Sequence, residues 1–427
     1  MNYFKQIYFE MKHQKMMTWV SVSGTALAIF LVMIFVMSEQ VKVIESAPES
    51  QRSRILYGEG IDVYYGDEGS QSSMGLSREV AKSIYSDLKG VEQVSYYNSY
   101  AGDNIGVSAP GGEVNSLVSL SADANIWKVY DYRFVSGTPF RASEAESGAR
   151  KAVLSQSAAR KIFGKEDVAG REIIVGSFPY TVTGVIKDPE PIMPRSYAEI
   201  IIPFNPDTDV IRETYFGRVN VMMLLKKGVD PASVKAQVEQ RYKRLQAVAA
   251  KEGQRIAYHN QPYTAREMAI FHGSNTTPDT TETDRLMAII LSLLIILPAI
   301  NLSSMTRSRM RHRISEIGVR RAFGAKRREI VVQIFGENFI MTLAGGLIGL
   351  ILSFIFLLFF SNLLFTYSNF TDSRELLNAR PNFTMLFSTS TFLLALLACL
   401  VINVLSASVP AWKASRVHPA EAIAASH

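Results

Sequence analysis

The sequence predicts an α-helical integral membrane protein with four transmembrane helices and a large extracytoplasmic α/β domain. Of the 427 residues, 48% are apolar, and long apolar blocks alternate with polar segments. Such blocks exclude an ordinary soluble protein, in which apolar residues recur with the period of a helix or a strand. Most of the polar chain lies in one insert between the first two blocks, so this insert must supply the conventional soluble core.

Four stretches are long enough to cross the apolar core of a bilayer, which requires about 20 helical residues. They are residues 17–37, 286–305, 339–364 and 386–409. The first follows a basic segment, so a cleaved signal peptide is the alternative. Its apolar run is longer than a signal-peptide core and no Ala-x-Ala site precedes Pro48, which favours a retained anchor. Pro410 is expected to end the fourth crossing, because proline cannot continue a helix.

The distribution of charge predicts the orientation. Residues 1–16, 306–330 and 411–427 hold 14 Lys and Arg against four acids, whereas residues 38–284 hold 28 against 32. Since cytoplasmic loops carry the excess of Lys and Arg, both termini and residues 306–330 are predicted to be cytoplasmic. Residues 38–284 and the short loop 365–385 would then lie outside. The formal net charge of +6 therefore needs no nucleic-acid partner.

The N-terminal segment, residues 1–16, spaces its apolar side chains as a helix would, with lysines around them. This pattern favours an amphipathic helix on the inner membrane surface, with a solvated tail as the alternative. Helical extensions of the first two crossings, one over residues 38–45 and one beginning at an N-cap at Thr281, would form a stalk at both ends of the insert.

Within the insert, strand patterns alternate with helix patterns. Residues 61–65 and 91–100 read as strands around a helix that ends at Gly90, and residues 219–228 read as a strand before a helix from Pro231 to about residue 250. These first and last portions are predicted to pair into one α/β subdomain. The middle, residues 102–203, is predicted to be a separate β-rich unit with one helix.

The sequence contains no motif for catalysis or metal binding. There is no GxxxxGK[ST], HExxH or GxSxG pattern, and the six histidines are scattered. The single cysteine, Cys399, excludes a disulfide within the chain and is a poor candidate for a reactive thiol in an apolar setting. We therefore expect no enzyme activity, no metal and no cofactor in this chain.

Small and weakly polar residues recur in the last two crossings at spacings of four. Such residues let membrane helices approach closely, either within one chain or across a dimer. The residues predicted to pack in this way are Gly345, Gly349, Ser353, Ala395, Cys399, Asn403 and Ala407.

The cytoplasmic loop 306–330 carries nine Arg and Lys. The positive-inside rule alone explains such a charge, but the loop also has the sequence pattern of a helix with an apolar face. Met310, Ile314 and Ile317 share one helical face, and Gly324 is suited to end a helix in a left-handed conformation. Lys326 begins another run toward the membrane. A short cytoplasmic helix with an apolar face is typical of an element that docks into a partner's groove.

Here the sequence resembles a known family. The run SEIGVRRAFGAKRREIVVQIFGEN (315–338) resembles the cytoplasmic signature of FtsX/MacB-type ABC transporter permeases, and VPAWKASRVHPAEAIA (409–424) resembles their C-terminal signature. Residues 149–188 are similar to the family's periplasmic core domain. The resemblance implies a porter-like α/β subdomain with a β-rich, sabre-like insertion.

The resemblance also implies a dimeric permease, a homodimer or a heterodimer with a similar chain, in the bacterial inner membrane. The ATPase would be a separate subunit that binds the ATP, because members with a fused ATPase carry it before the first crossing. In the family, the helix with the EIG motif docks onto the ATPase. The implied coupling residues here are Arg313, Ile314, Glu316, Ile317, Gly318, Arg320, Arg321, Phe323 and Gly324.

The function expected from this resemblance is mechanotransmission. ATP binding and hydrolysis on the partner would move the outer domain and drive efflux or envelope transport. A periplasmic adaptor and an outer-membrane channel would be further partners. One alternative is an FtsX-like signalling scaffold that activates a cell-wall hydrolase. Another is a lipoprotein-release permease. A sensor kinase is disfavoured by the short cytoplasmic tail, residues 410–427.

Overall fold

The computed structural model of the protein describes residues 15–41, 43–65, 70–98, 103–190, 193, 195–204, 214–271, 277–365 and 389–415. The described residues form two compact units. A helical unit is drawn from Met1–Glu39, Thr281–Ser361 and Leu386–His427, and a sheet unit from Gln40–Thr280 with Asn362–Met385. The predicted N-terminal amphipathic helix lies outside the described residues except for its last two positions, and so does the loop after Phe365.

The strands of the sheet unit are connected into one 15-stranded sheet. Its strands are β1 Ile55–Gly58, β2 Ile61–Tyr65, β3 Ser70–Leu76, β4 Val91–Asn98, β5 Asn104–Ser108, β6 Asn115–Ala122, β7 Phe134–Gly137, β8 Lys151–Ser155, β9 Glu172–Val175, β10 Phe178–Ile186, β11 Ile200–Pro203, β12 Phe216–Gly217, β13 Val219–Leu225, β14 Gln254–Ala257 and β15 Tyr263–Thr264.

The first and last portions of the insert pair with each other, as predicted. We call them together the base lobe, residues 43–98 and 214–271. Strand β13 lies between β1 and β4 and is antiparallel to both, with Leu224 opposite Ile55 and Met222 opposite Ser95. All seven residues of β13 are buried. A strand covered on both faces reads as a continuous apolar run, which is how Val219–Leu225 reads in the sequence.

The middle of the insert, residues 103–204, forms the insertion lobe. Its strands β5 to β11 are centred on β10, which pairs in parallel with β8 and antiparallel with β7 and β9. The prediction of a separate unit is wrong. Within the described residues the ladder between β4 and β6 is the single pair Tyr97 and Ala122, and one hydrophobic cluster combines Tyr57 and Met222 of the base lobe with Ile201 of the insertion lobe. Burial of shared apolar surface makes the lobes parts of one core.

The three longest described helices of the sheet unit begin at side-chain caps that satisfy free backbone N–H groups. Ser77 accepts from the Val80 N–H, Ser155 from the Ala158 N–H and Asp230 from the Ala232 N–H. The described α-helices of the sheet unit, numbered in chain order after the first long helix α1, are α2 Arg78–Tyr85, α3 Ile126–Val129, α4 Ala142–Glu146, α5 Gln156–Phe163, α6 Pro231–Lys251 and α7 Ala265–Met268. The insertion lobe thus has two single-turn helices in addition to the one that was predicted.

Helix α2 ends at Tyr85, five residues before the predicted end at Gly90. A distant side chain binds the carbonyls at this end. The Arg241 guanidinium, from α6, donates to the carbonyls of Ser83, Ile84 and Ser86. These carbonyls belong to the last turn and the residue beyond it, where a helix has no backbone donors of its own.

Four long helices make up the described helical unit. They are α1 Lys15–Val41, α8 Thr280–Ala322, α9 Arg327–Phe365 and α10 Thr389–Ser415. Two of the described helical segments, Lys15–Gln40 and Arg327–Phe360, are long and apolar enough to cross a membrane, and a shorter apolar segment is Phe392–Val401. The predicted crossing 286–305 lies within α8. Of the predicted crossing 386–409, residues 389–409 lie within α10 and residues 386–388 lie outside the described residues.

Three helix boundaries differ from the expectations. Helix α1 ends at Val41, so no helix covers residues 43–45, where the Glu45 carboxylate instead accepts from the Ser53 N–H at 3.1 Å. Helix α8 begins at Thr280, one residue before the expected cap. Helix α10 continues through Pro410 to Ser415. Proline removes only one backbone hydrogen bond, and long membrane helices accommodate it.

Candidate functional site

The turn between α8 and α9 is the candidate docking site. Helix α8 is 43 residues long and runs without interruption into the predicted coupling segment, so the expected separate short helix does not exist. The turn follows at residues 323–326. Gly324 has a φ of +95°, which favours glycine. The Glu329 carboxylate accepts from the Lys326 N–H at 3.1 Å, which satisfies a free donor at the start of α9.

A small apolar cluster fixes the angle of this turn. Ile317 of α8 packs with Ile330 and Ile334 of α9, and all three side chains are buried. Gly318, beside Ile317, is also buried. Ile317 therefore contributes to contact between the two helices and presents no surface to a partner. It can influence docking only through the position of the turn.

At the tip of the turn, in contrast, the side chains are exposed to solvent. The Phe323 side chain is 88% exposed, and Val319, one turn earlier on α8, is 43% exposed. Lys326, Arg327 and Arg328 are exposed as well. Within the described residues none of these three cations has an acidic partner. Exposed aromatic rings and arginines are enriched in protein-docking surfaces, so this tip is the candidate contact for a partner.

Several predicted coupling residues can be placed only by their backbone. Their positions lie on α8, but their side chains are outside the described set. They are Arg313, Ile314, Glu316, Arg320 and Arg321.

The glycines of α9 lie against α1. A Cβ atom at Gly345 would meet the Thr25 Cβ at 2.8 Å, and one at Gly349 would meet the Ala26 carbonyl oxygen at 2.5 Å. Both distances are shorter than real Cβ contacts, so the backbones approach each other because no side chain intervenes. Ser353 continues the same face, and its hydroxyl donates to the Gly349 carbonyl at 2.7 Å.

The order of these contacts gives the relative direction of α1 and α9. Gly345 meets Thr25, Gly349 meets Ala26 and Ile29, and the ring of Phe356 lies edge-on to that of Phe30 at 5.6 Å. Positions increase together along both chains, so α1 and α9 run parallel. Parallel first and third crossings are what a chain requires if it crosses the membrane at each long helix.

Helix α10 also approaches α9. A Cβ atom at Gly346 would meet the Leu396 Cδ1 at 2.7 Å, Ala395 is buried, and Cys399 is partly buried. Asn403 and Ala407 lie further along α10, with side chains outside the described set. Of the predicted small-residue positions, Gly345 and Gly349 of α9 thus make contacts within one chain.

Sequence reasoning missed buried polar side chains of these helices. Ser21 and Thr25 of α1 and Thr342 and Glu337 of α9 are buried. The Glu337 carboxylate accepts from the Gln333 side-chain amide at 3.2 Å. The signal that could have found the α1 partners is the spacing of Ser21 and Thr25, four residues apart on one helical face.

Comparison with known families now identifies the protein. The model described as the MacB-like periplasmic core domain matches residues 18–241, more than half of the chain, and the model described as the FtsX-like permease C-terminal matches residues 288–419. The chain belongs to this family of ABC transporter permeases. The resemblance read from the coupling segment is therefore confirmed.

Individual relatives agree with the family. The chain is 24% identical over 343 residues to the macrolide export ATP-binding/permease protein MacB of Pasteurella multocida (strain Pm70), covering 79% of this chain and 48% of that protein. It is 22% identical over 370 residues to the uncharacterized ABC transporter permease YknZ of Bacillus subtilis (strain 168), covering 86% of this chain and 85% of that protein. The chain thus spans about half the length of the MacB relative.

Among solved structures, the periplasmic region of MacB from Actinobacillus actinomycetemcomitans matches with 15% sequence identity and a TM-score of 0.33. The match covers 47% of this chain and 88% of the solved chain.

Proposed function

We propose that this permease couples ATP binding and hydrolysis on a separate ATPase subunit to movement of its outer domain, driving efflux or envelope transport. The observation that carries the proposal is α8, one continuous helix from the end of the sheet unit to the exposed turn at Phe323. At 1.5 Å per residue, a helix of 43 residues is about 65 Å long, roughly twice the apolar thickness of a bilayer. A displacement at one end of such a helix is felt at the other.

Four membrane crossings are part of the proposal. Three observations support it: two helices that are long and apolar enough to cross a membrane, the parallel direction of α1 and α9, and the net positive charge of residues 1–16, 306–330 and 411–427. Exposed Trp19 in the second turn of α1 and exposed Trp412 near the end of α10 would both lie near the cytoplasmic boundary. Tryptophan is enriched at such boundaries.

In this proposal the partners are a cytoplasmic ATPase, which binds the ATP, and a second permease chain. A periplasmic adaptor and an outer-membrane channel would complete an efflux assembly. The coupling residues would divide their roles. Phe323 would contact the ATPase directly, whereas Ile317 and Gly318 would hold the turn in place from within. The signalling alternative is less favoured, because the matched outer domain is of the MacB type over residues 18–241.

The test is Phe323→Ala in the full chain in lipid nanodiscs, with the partner ATPase titrated in. An exposed aromatic anchor is a binding hot spot worth about 2 kcal/mol or more, so we expect the Kd to rise about thirtyfold. Stimulation of the ATPase should fall in parallel. Phe339→Ala is the matched control, because Phe339 is an exposed ring on α9 outside the turn. Equal binding by the Phe323 variant and the parent would remove the docking role.

A further inference from the structure

The exposed turn between α8 and α9 carries a strong excess of positive charge. Residues 319–329 hold five Lys and Arg and one acid. Lys326, Arg327 and Arg328 are exposed, and in the part of the chain that the structure describes none of them has an acidic partner. The one acid, Glu329, accepts a hydrogen bond from the Lys326 N–H at 3.1 Å, so its carboxylate serves the backbone. The three cations keep their charge for the surface that faces the turn.

These cations do not stabilise the helix that carries them. Helix α9 begins at Arg327, so Arg327 and Arg328 are its first two residues, and Lys326 is the residue before it. The N-terminus of a helix has a partial positive charge, which acids stabilise and cations oppose. Lys326 also lacks the side-chain oxygen with which Ser, Thr, Asp or Asn would cap a free N–H group. The stability of α9 therefore does not explain three successive cations at this position.

The distance from the bilayer distinguishes a lipid partner from a protein partner. With the crossing at residues 339–364, Arg328 lies eleven helical residues before it, which is about 16 Å at 1.5 Å per residue. The headgroup layer on each side of the apolar core is only about 5–8 Å thick. Glu337 and Asn338, just before the crossing, are polar, so the apolar core does not begin earlier. The cations then lie beyond the headgroups, and the surface that they meet is a protein.

The aromatic ring and the cations belong to one surface. Phe323 is 88% exposed, and its Cα atom lies at most about 11 Å from that of Lys326, three residues later. Ile317 of α8 packs with Ile330 and Ile334 of α9, which keeps the ring and the cations in fixed relative positions. A standard interface buries about 800 Å² on each partner, so a single partner covers both. Such interfaces surround an aromatic anchor with polar and charged residues.

We propose that Lys326, Arg327 and Arg328 bind a carboxylate-lined surface of the partner ATPase, beside the apolar pocket that takes the Phe323 ring. This inference rests on the proposed function, because it takes the ATPase as the partner of the turn. Opposite charges at the edge of an interface mainly raise the association rate and fix the orientation of the partners. The cations therefore set how fast the complex forms, and Phe323 sets how long it lasts.

The experiment measures association and dissociation rates of the ATPase with the full chain in nanodiscs of phosphatidylcholine alone. The association rate of the parent should fall about tenfold between about 50 mM and about 500 mM NaCl, because salt shortens the range of charge interactions. The triple variant Lys326→Gln, Arg327→Gln and Arg328→Gln should associate about tenfold more slowly at low salt and vary less than about twofold with salt. Phe323→Ala should raise the dissociation rate and keep the salt dependence of association.

The matched control removes three exposed cations of the sheet unit, by Lys226→Gln, Lys227→Gln and Lys251→Gln. It changes the net charge of the chain by the same amount, and both rates should stay as in the parent. The double variant Arg327→Lys and Arg328→Lys keeps the charge and should keep the salt dependence. An equal loss of association in the sheet-unit control would mean that only net charge matters, and it would overturn the proposal.

A stability measurement separates binding from folding. Because cations oppose the dipole at the start of α9, the triple Gln variant should unfold at the same SDS concentration as the parent or at a higher one. Loss of helical circular dichroism measures this in the detergent-solubilised protein. Unfolding at a lower concentration would assign the cations to the stability of α9 and would overturn the proposal.

Addition of about one-third phosphatidylglycerol to the discs tests the lipid as the source of negative charge. The parent and the triple variant should differ in association rate by the same factor in both kinds of disc. A difference that appears only with phosphatidylglycerol would make the anionic lipid the partner of the cations and refute the carboxylate-lined surface.

The two hypotheses fail separately. If Phe323→Ala weakens binding while the triple variant associates like the parent at every salt concentration, docking at the turn stands and the carboxylate-lined surface is refuted. If neither variant changes binding, the turn is not the docking site and both hypotheses fail.

Discussion

The helical unit and the sheet unit are packed by different means. In the sheet unit, large side chains fill the core, and Tyr57, Tyr85 and Tyr242 are almost completely buried. In the helical unit, the closest contact between α1 and α9 is made where Gly345 and Gly349 have no side chain. The difference follows from the solvent. Water drives large apolar groups together, whereas lipid is as apolar as the side chains, so close backbone approach must hold membrane helices together.

Their surface charges differ as well. In the sheet unit, some exposed cations have acidic partners, as Arg160 has Glu166 and Lys243 has Glu239. At the turn of the helical unit, Lys326, Arg327 and Arg328 have none among the described residues. Surface ion pairs contribute little to stability, so the pairing is not needed for folding. Unpaired cations on one turn are available to a partner, which agrees with the docking role proposed for it.

The largest effect is expected from truncating the core of the sheet unit. Tyr242→Ala removes a ring that is stacked on Tyr258 at 4.3 Å and whose hydroxyl lies 3.2 Å from that of Tyr85. The loss of a buried aromatic ring should lower the free energy of unfolding of this unit by about 3–5 kcal/mol. Hydrogen exchange of sheet-unit peptides in the full chain measures the change.

The control for this truncation lies on the same helix. Val248 is 52% exposed on α6, so Val248→Ala should change the free energy by no more than about 0.5 kcal/mol. Protection lost to the same extent in both variants would mean that α6 contributes through helix formation and not through the core.

A smaller effect is expected from adding a methyl group to the helical unit. Gly349→Ala would place a Cβ atom 2.5 Å from a backbone oxygen, which cannot move without displacing α1. Overpacking of this kind costs about 1–3 kcal/mol. Loss of helical circular dichroism at lower SDS concentration measures it in the detergent-solubilised protein.

Gly346→Ala is the control for Gly349→Ala, because it replaces a glycine of the same helix at a position that faces flexible side chains and not a backbone oxygen. Its Cβ atom would meet the ends of the Leu396 and Ile29 side chains, which can rotate away. The unfolding concentration of SDS should therefore fall less than in Gly349→Ala. Equal falls for the two variants would contradict the view that the backbone contact is decisive.

The smallest effect is expected at a helix cap. Ser77 accepts from the Val80 N–H, and its hydroxyl donates to the Thr214 carbonyl at 3.1 Å. Ser77→Ala should lower the stability of the sheet unit by about 1 kcal/mol. Hydrogen exchange in α2 reports it, and Ser77→Thr, which keeps the acceptor, should recover most of the protection.

The sequence predicted local elements well where one residue type decides the conformation. Asp230 and Pro231 at the start of α6 and Gly324 after α8 are such positions. It failed where a distant group intervenes. The carbonyls at the end of α2 are bound by Arg241, far away in the chain, and the union of the two lobes depends on tertiary contacts such as that of the Tyr96 N–H with the Asp123 carboxylate. No local pattern contains these contacts.

The candidate docking site was also predicted in part, where local residue types decide the conformation. The pattern of the loop located Phe323 and Gly324 at a helix end, because glycine and the charge run mark the turn locally. The fate of Ile317 was not foreseen. Its apolar character indicated a buried face, but only the packing of α9 against α8 decides that Ile330 and Ile334 cover it. An apolar helical face in a sequence does not show whether it packs against the same chain or against a partner.

The position of β13 has a consequence for biosynthesis. Its partners β1 and β4 are made early, but β13 is made only after the whole insertion lobe. Until then, β1 and β4 present open backbone edges, and such edges invite pairing with other chains. Contacts so distant in sequence also form slowly. A nascent chain stalled before Val219 should therefore aggregate or be degraded outside the membrane, even with its first anchor in place.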